Sequence, residues 1–309
     1  MYKFIIKRIL AIIPVLIGVT FLVFVILSFA PGDPARILLG LEATEEQVAL
    51  LRDEMGLNDP LIIQYVHYIF DLIRGDMGNS YKTGLPVIAE IMEKFPNTMQ
   101  IVIPGLILAV FIAIPLGIIA AVKQNSIVDG ASMVVAMFGI SIPLFWWGIL
   151  LMMLFTVKLG WLPSGGMSGL KSMIMPVVAI SFQSLAGIAR TTRSSMLEVI
   201  RSDYIRTARS KGVQEKDVIF THALKNALIP TLTVTGLQIC TMISGTTLIE
   251  NLFSWPGIGR LLVTALNDRD RPVILGCIVV FTVCYTIVNL IVDLLYGVVD
   301  PRIKAMYKR

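Results

Sequence analysis

The stretch SMLEVIRSDYIRTARSKGVQEKDVIFTHALKNALIP, Ser195 to Pro230, packs acidic and basic side chains closely between two strongly apolar regions. MLEVI and DYIRTA contain no helix breaker, whereas Gly212 permits the left-handed backbone that ends a helix. The stretch therefore reads as two helical pieces with a break at Gly212. In the second piece, Val218, Ile219, His222 and Leu224 are expected to form a partly apolar face. Such a segment suits either the headgroup layer of a membrane or a docking surface for another protein. Arg206, Arg209 and Lys211 crowd about one turn, and Ala208 and Gly212 stand four residues apart. Small residues at that spacing allow another surface to approach closely, which favours docking.

The regions on either side define the solvent. Only 15% of the 309 residues are charged and 56% are hydrophobic, with a mean hydropathy of +0.80. A soluble domain carries about a quarter charged residues, so this chain lacks the polar surface to cover itself in water. Six segments reach or approach the roughly 20 residues needed to cross a bilayer: 9–30, 101–122, 131–157, 173–189, 227–249 and 273–299. The chain is thus expected to be an all-α, polytopic membrane protein. The N-terminal apolar run has no small-residue cleavage pattern and is read as an uncleaved first span. Prolines at 14, 115, 143 and 176 mark possible kinks.

The basic residues set an orientation. Lys3, Lys7 and Arg8 precede the first span, and Lys123 lies in the short 123–130 connection. Arg190, Arg193, Arg201, Arg206, Arg209, Lys211, Lys216 and Lys225 lie between spans four and five, and Arg302, Lys304, Lys308 and Arg309 in the tail. Six spans put all of them on one side, giving N-in and C-in. The opposite side receives residues 31–100, with 5 basic and 11 acidic residues. Thr44 and Gln47 resemble a capping box opening a helix that stops at Gly56. A second helix runs through LIIQYVHYIFDLI towards Gly75. Its apolar positions need a partner, so this loop is expected to pack as a small helical cap over the membrane part. A boundary at 98/99 divides the first span and cap (1–98) from a core (99–309).

Catalytic signatures are missing. No G-x-x-x-x-G-K-[ST] is present, and His67 and His222 fall on opposite sides of the membrane, which disfavours zinc or serine-hydrolase chemistry. The charge distribution gives no nucleic-acid stripe. Cys240, Cys277 and Cys284 lie in apolar segments and read as buried thiols. Asp293 and Asp129 sit near span ends, a thin supply of intramembrane charge for an ion-coupled transporter. Polar Ser181, Gln183, Ser184, Thr241 and Ser244 within spans either line a path or join helices.

The chain resembles the permease subunits of bacterial ABC importers in the dipeptide, oligopeptide and nickel family. The likeness rests on ordered blocks: PVLIGVTFLVFVILSFAPGDPA, GLNDPLIIQYVHYI, GDMGNS, FPNTM, SIPLFWWGILLM, TRSSMLEVIRSDYIRTARSKG, HALKNALIP, ENLFSWPGIGRLL and IVDLLYGVVDPRI. It implies the type I importer permease fold and the first of two permeases, the one with a long loop after span one. The same likeness implies the partners: a second permease, two ATPase subunits that use ATP and Mg, an external substrate-binding protein and membrane lipid. No cofactor is implied in this chain, nor any catalytic activity. The family's Glu-Ala-Ala, three residues, Gly motif falls on Arg206, Thr207, Ala208 and Gly212, and only Ala208 and Gly212 match it. The resemblance implies that Asp203, Tyr204, Arg206, Thr207, Ala208, Arg209, Lys211 and Gly212 form a helix coupled to an ATPase. Tyr204 and Ala208 are then expected to pack into the ATPase. Dipeptides or short oligopeptides are the implied cargo, with nickel or glutathione as alternatives.

Overall fold

The computed structural model describes residues 2–29, 32–40 and 42–299, and its regular elements are helices. The basic tail, Arg302 to Arg309, lies outside the described residues, as does the side chain of Asp293. Helix α1 (Tyr2–Ser28) is followed by three short helices, α2 (Pro34–Leu39), α3 (Glu45–Glu54) and α4 (Leu61–Ile73). The capping box on α3 is present in both directions between Thr44 and Gln47. Gly56 and Gly75, with φ of +64° and +83°, follow α3 and α4. Helix α4 finds its apolar partner on the side of the membrane bundle. Its Tyr65 packs against Phe24 of α1 and Leu275, so the helix sits on the flank of the first span.

Helix α5 (Val87–Val122) runs for 36 residues, about 54 Å, and begins well before the expected span at 101. Residue boundary 98/99 falls inside it. Three internal prolines, Pro96, Pro104 and Pro115, are carried without breaking the helix. The expected third span behaves differently. Helices α6 (Ile127–Ser141) and α7 (Leu144–Met152) meet at a bend of 100°, and a π-helical turn, Met153–Lys158, extends α7. Pro143 has no N–H to donate, and it pushes the preceding Ile142 into an extended conformation (ψ 125°). Among the described residues, five helices are long and apolar enough to cross a membrane, and six if the bent pair is one span.

Helix α8 (Leu170–Ile200) is the hub, in contact with α5, α6 and α7. The charged stretch supplies α9 (Asp203–Ser210) and a single turn, α10 (Glu215–Asp217), which passes through a π-helical turn, Val218–Ala223, into α11 (Leu224–Leu252). Helices α12 (Ile258–Asp268) and α13 (Arg271–Val299) complete the described residues, and α11 packs on α8, α12 and α13. Two ends result. The cap end gathers α2 to α4, α12 and the turn at Ser80, whose hydroxyl donates to Asp270 at 2.6 Å. The basic end gathers the 123–127 turn, α9 and α10.

Candidate functional site

At the basic end, α9 rests on a core of Ile118, Ala121, Met196, Val218, Ile219 and Ala223, into which Ile205 is fully buried. Ala208 is half-buried against the same core, so the small residue eases α9 onto its own chain. Tyr204 is 45% exposed, and its hydroxyl accepts from Asn226 Nδ2 at 2.7 Å. Asp203, Arg206, Thr207, Arg209, Lys211 and Gly212 are also exposed. The opened face thus consists of Asp203, Tyr204, Arg206, Thr207 and Lys211, with Ala208 behind it. Of the apolar face expected after Gly212, Val218 and Ile219 are buried, but His222 points outwards.

Local hydrogen bonds hold this face in shape. Thr207 and Ser210 hydroxyls donate to the carbonyls of Asp203 and Arg206 at 2.9 and 3.0 Å. Arg209 makes two bonds to Glu215, at 3.0 and 2.6 Å, across the turn that Gly212 opens with φ +78°. A β-carbon would meet nothing within 4 Å at Gly212, so the glycine is required there by backbone conformation and not by space. Arg206 and Lys211 form no ion pair among the described residues. One guanidinium and one ammonium group are therefore displayed on a short helix without a partner carboxylate among the described residues.

Behind α9, the end of α8 is tied to the 123–130 turn. Arg193 donates from Nε and Nη2 to the two carboxylate oxygens of Asp129, at 2.6 and 2.7 Å. Asn125 N–H adds a third bond to that carboxylate at 3.0 Å, and Arg201 reaches Gln124 at 3.1 Å. Sequence reading treated Asp129 as a helix-boundary residue and Arg193 as a marker of orientation. Nothing local pairs residues 64 positions apart, so this tie carried no sequence signal.

The proposed path residues separate into two groups. Ser181 and Ser184 are buried within this chain, and Ser181 donates to the carbonyl of Val178 at 2.9 Å. Gln183, Thr241 and Ser244 are exposed on α8 and α11. Gln183 lies one turn from Gly187, which abuts the Gln238 side chain, and Thr241 donates to Gln238 Oε1 at 3.1 Å. A polar seam thus runs across the α8–α11 contact.

A buried knot at the cap end was also missed. Glu250 is fully buried, accepts from Thr98 Oγ1 at 2.7 Å, and accepts from the Arg260 N–H at 3.0 Å. Thr98 Oγ1 in turn accepts from the Ile258 N–H at 2.9 Å. Trp255 Nε1 donates to the Asn97 carbonyl, and Asn97 Nδ2 to the Pro256 carbonyl, each at 2.8 Å. The carboxylate satisfies orphan N–H groups in the first turn of α12, where the helix dipole favours negative charge. A β-carbon at Gly257 would collide with the Glu250 carboxylate, which explains the Pro-Gly before α12. The arrangement joins α5, α11 and α12 and holds no reactive group open to a substrate.

These features define a multi-pass membrane protein with a displayed basic helix at one end and a locked cap at the other. Comparison with known proteins supplies the class. Residues 113–305 match the profile of the binding-protein-dependent transport system inner membrane component, and residues 1–102 match its N-terminal companion. The chain belongs to this family of bacterial ABC transporter permeases. It is 43% identical to a dipeptide transport system permease protein of Alkalihalophilus pseudofirmus, over 98% of this chain and 100% of that one. Identity is 40% to an oligopeptide transport system permease protein of Bacillus subtilis, over 98% and 100%. It is 41% to a glutathione transport system permease protein of Salmonella choleraesuis, over 98% and 99%. The inward-facing MetNI methionine ABC transporter matches in fold, with a TM-score of 0.60 and 15% identity over 69% of this chain and 97% of that one.

Proposed function

We propose that the chain is one of two permease subunits in an ATP-driven importer of dipeptides or short oligopeptides. The observation that carries this reading is α9: a short helix seated by Ile205 and Ala208, with Tyr204, Arg206 and Lys211 displayed outwards. Full-length similarity to dipeptide and oligopeptide permeases supports the cargo class. The glutathione permease match favours a second cargo, a tripeptide-like solute, carried by the same machine.

In this reading the bent pair α6–α7 counts as one of six spans, and both termini face the cytoplasm, as the basic residues around α9 require. Two ATPase subunits bind ATP and Mg, and each receives one coupling helix in a groove. Tyr204 and the unpaired cations Arg206 and Lys211 meet the ATPase, the latter two through charge-assisted contacts. Ala208 acts from behind by letting α9 lie close to its own core. Closure of the ATPases drives the coupling helices together and tilts the spans, which opens the path outwards to a substrate-binding protein; hydrolysis resets it inwards. Gln183, Thr241 and Ser244 face that path.

The test reconstitutes the chain with its partner subunits in proteoliposomes and measures ATP-dependent uptake of radiolabelled Ala-Ala and of glutathione. Gly212→Val is compared with the native chain for assembly, ATPase stimulation and uptake. Loss of uptake with retained assembly is expected. Normal values for all three would overturn the coupling role, and absence of uptake for both solutes by the native complex would overturn the cargo class.

A further inference from the structure

Helix α4 has thirteen residues, about 20 Å, and cannot cross a hydrocarbon core of roughly 30 Å. Advancing about 100° per residue, its side chains divide into three arcs. Leu61, Tyr65, Tyr68 and Ile69 face the protein, packed with Phe24 and Leu275. Gln64, His67, Asp71 and Arg74 form a polar arc. Ile62, Val66, Phe70 and Ile73 form the third arc, with exposures of 68%, 42%, 58% and 76%. No charged side chain interrupts that stripe.

Its depth decides what can cover it. Tyr65 donates to the Ile17 carbonyl at 2.8 Å and shares a 2.9 Å hydrogen bond with Thr20 Oγ1. Its ring sits edge-on to Phe21 and Phe24, with centroids 5.0 and 5.5 Å away. The polar boundary of the first span is marked by Arg271, which donates to Ser28 Oγ at 2.8 Å. Thr20 lies eight residues before Ser28, about 12 Å deeper along the helix. The apolar arc of α4 thus lies at the depth of the exposed Phe21, Leu22 and Ile26 of α1, side chains within the first apolar span that acyl chains would cover.

We propose that α4 is a non-spanning helix immersed in one leaflet of the bilayer, with Ile62, Val66, Phe70 and Ile73 against lipid acyl chains and Gln64, His67 and Asp71 of its polar arc turned to the open groove they share with Arg271 and Asn79. Tyr65 fixes the depth through the Ile17 carbonyl. The polar arc keeps His67 and Asp71 at the aqueous boundary, as in an interfacial amphipathic helix. The long loop is then held to the membrane along its middle, and not only at its two ends.

Nitroxide labels test this in the full-length chain, in phosphatidylcholine–phosphatidylglycerol vesicles, with Cys240, Cys277 and Cys284 replaced by alanine. Single labels go to positions 62, 70 and 73, and to 67 and 71 for comparison. Collision with oxygen is expected to exceed collision with a water-soluble nickel chelate severalfold at 62, 70 and 73, with the order reversed at 67 and 71. High nickel collision at 70 and 73 would place the stripe in water and overturn the proposal. Low collision with both reagents would mean a protein covers it, which also overturns it. The native chain gives a label-free check: a phosphatidylcholine carrying a diazirine in its acyl chain should leave photoadducts on the 61–73 peptide. None there, with adducts on α1, would sink the idea even if the cysteine-free chain fails to fold.

Discussion

The two ends of the molecule handle charge in opposite ways. At the cap end, two carboxylates are buried: Glu250, whose hydrogen bonds are returned by Thr98 and the first turn of α12, and Asp270, which accepts from Ser80 Oγ and the Lys82 N–H. At the basic end, α9 keeps Arg206 and Lys211 exposed, and the one carboxylate buried nearby, Asp129, is matched by Arg193. A buried group with all its bonds made resists rearrangement, because every alternative leaves something unpaired. An exposed cation is free to take a new partner at little desolvation cost. The Glu250 knot is closed on itself; the cations of α9 stay open to a partner.

Substitutions can break that contrast. The largest effect is expected from Glu250→Ala, which strands Thr98 and the N-terminal N–H groups of α12 and opens a cavity beside Trp255. A loss of about 3 kcal/mol or more follows from such unsatisfied buried groups. It should appear as poor yield and an early thermal transition in detergent; wild-type melting would show that the knot carries no stability. Next comes Arg193→Ala, expected to cost about 2 kcal/mol because Asp129 loses two charge-assisted bonds and keeps only the Asn125 N–H. Pairing it with Asp129→Ala should recover much of that loss in a double-mutant cycle, and strict additivity would show the two residues to be independent.

Gly212→Val is expected to cost about 1–2 kcal/mol, the penalty for a side chain at positive φ. It should reduce ATPase stimulation more than it lowers the melting temperature. Equal losses in both would mean the turn matters only for folding. Arg209→Gln should be the mildest, at about 0.5 kcal/mol, since its pairing with Glu215 is open to solvent. Its effect should fade further in high salt. A salt-insensitive loss of several kcal/mol would show that the basic end is as locked as the cap.

What could be read from sequence depended on range. The α3 capping box, the glycine stops after α3 and α4 and the break at Gly212 are written within a few residues, and each was legible. The long apolar helices were legible for the same reason, although α5 overran its apolar window because the polar FPNTM turn stays helical. The Asp129–Arg193 tie and the Glu250–Thr98 knot join residues 64 and 152 positions apart, so no local pattern could reveal them. Ala208 was seen as a contact residue, but one chain alone does not say which of two surfaces a small residue serves. Pro143 was marked as a possible kink, and the chain instead turns through 100° there.

Helix α5 reaches both ends. Thr98 near its start belongs to the Glu250 knot, while Ile118 and Ala121 near its finish belong to the seat of α9. Those points lie roughly 35 Å apart along one continuous helix. Under the proposed coupling, such a rod would act as a lever pinned at the cap: a tilt of about 10° would carry its far end through roughly 6 Å, about one helical turn. The pinned end sets the pivot, and the three prolines between the ends decide how much of the stroke is lost to bending.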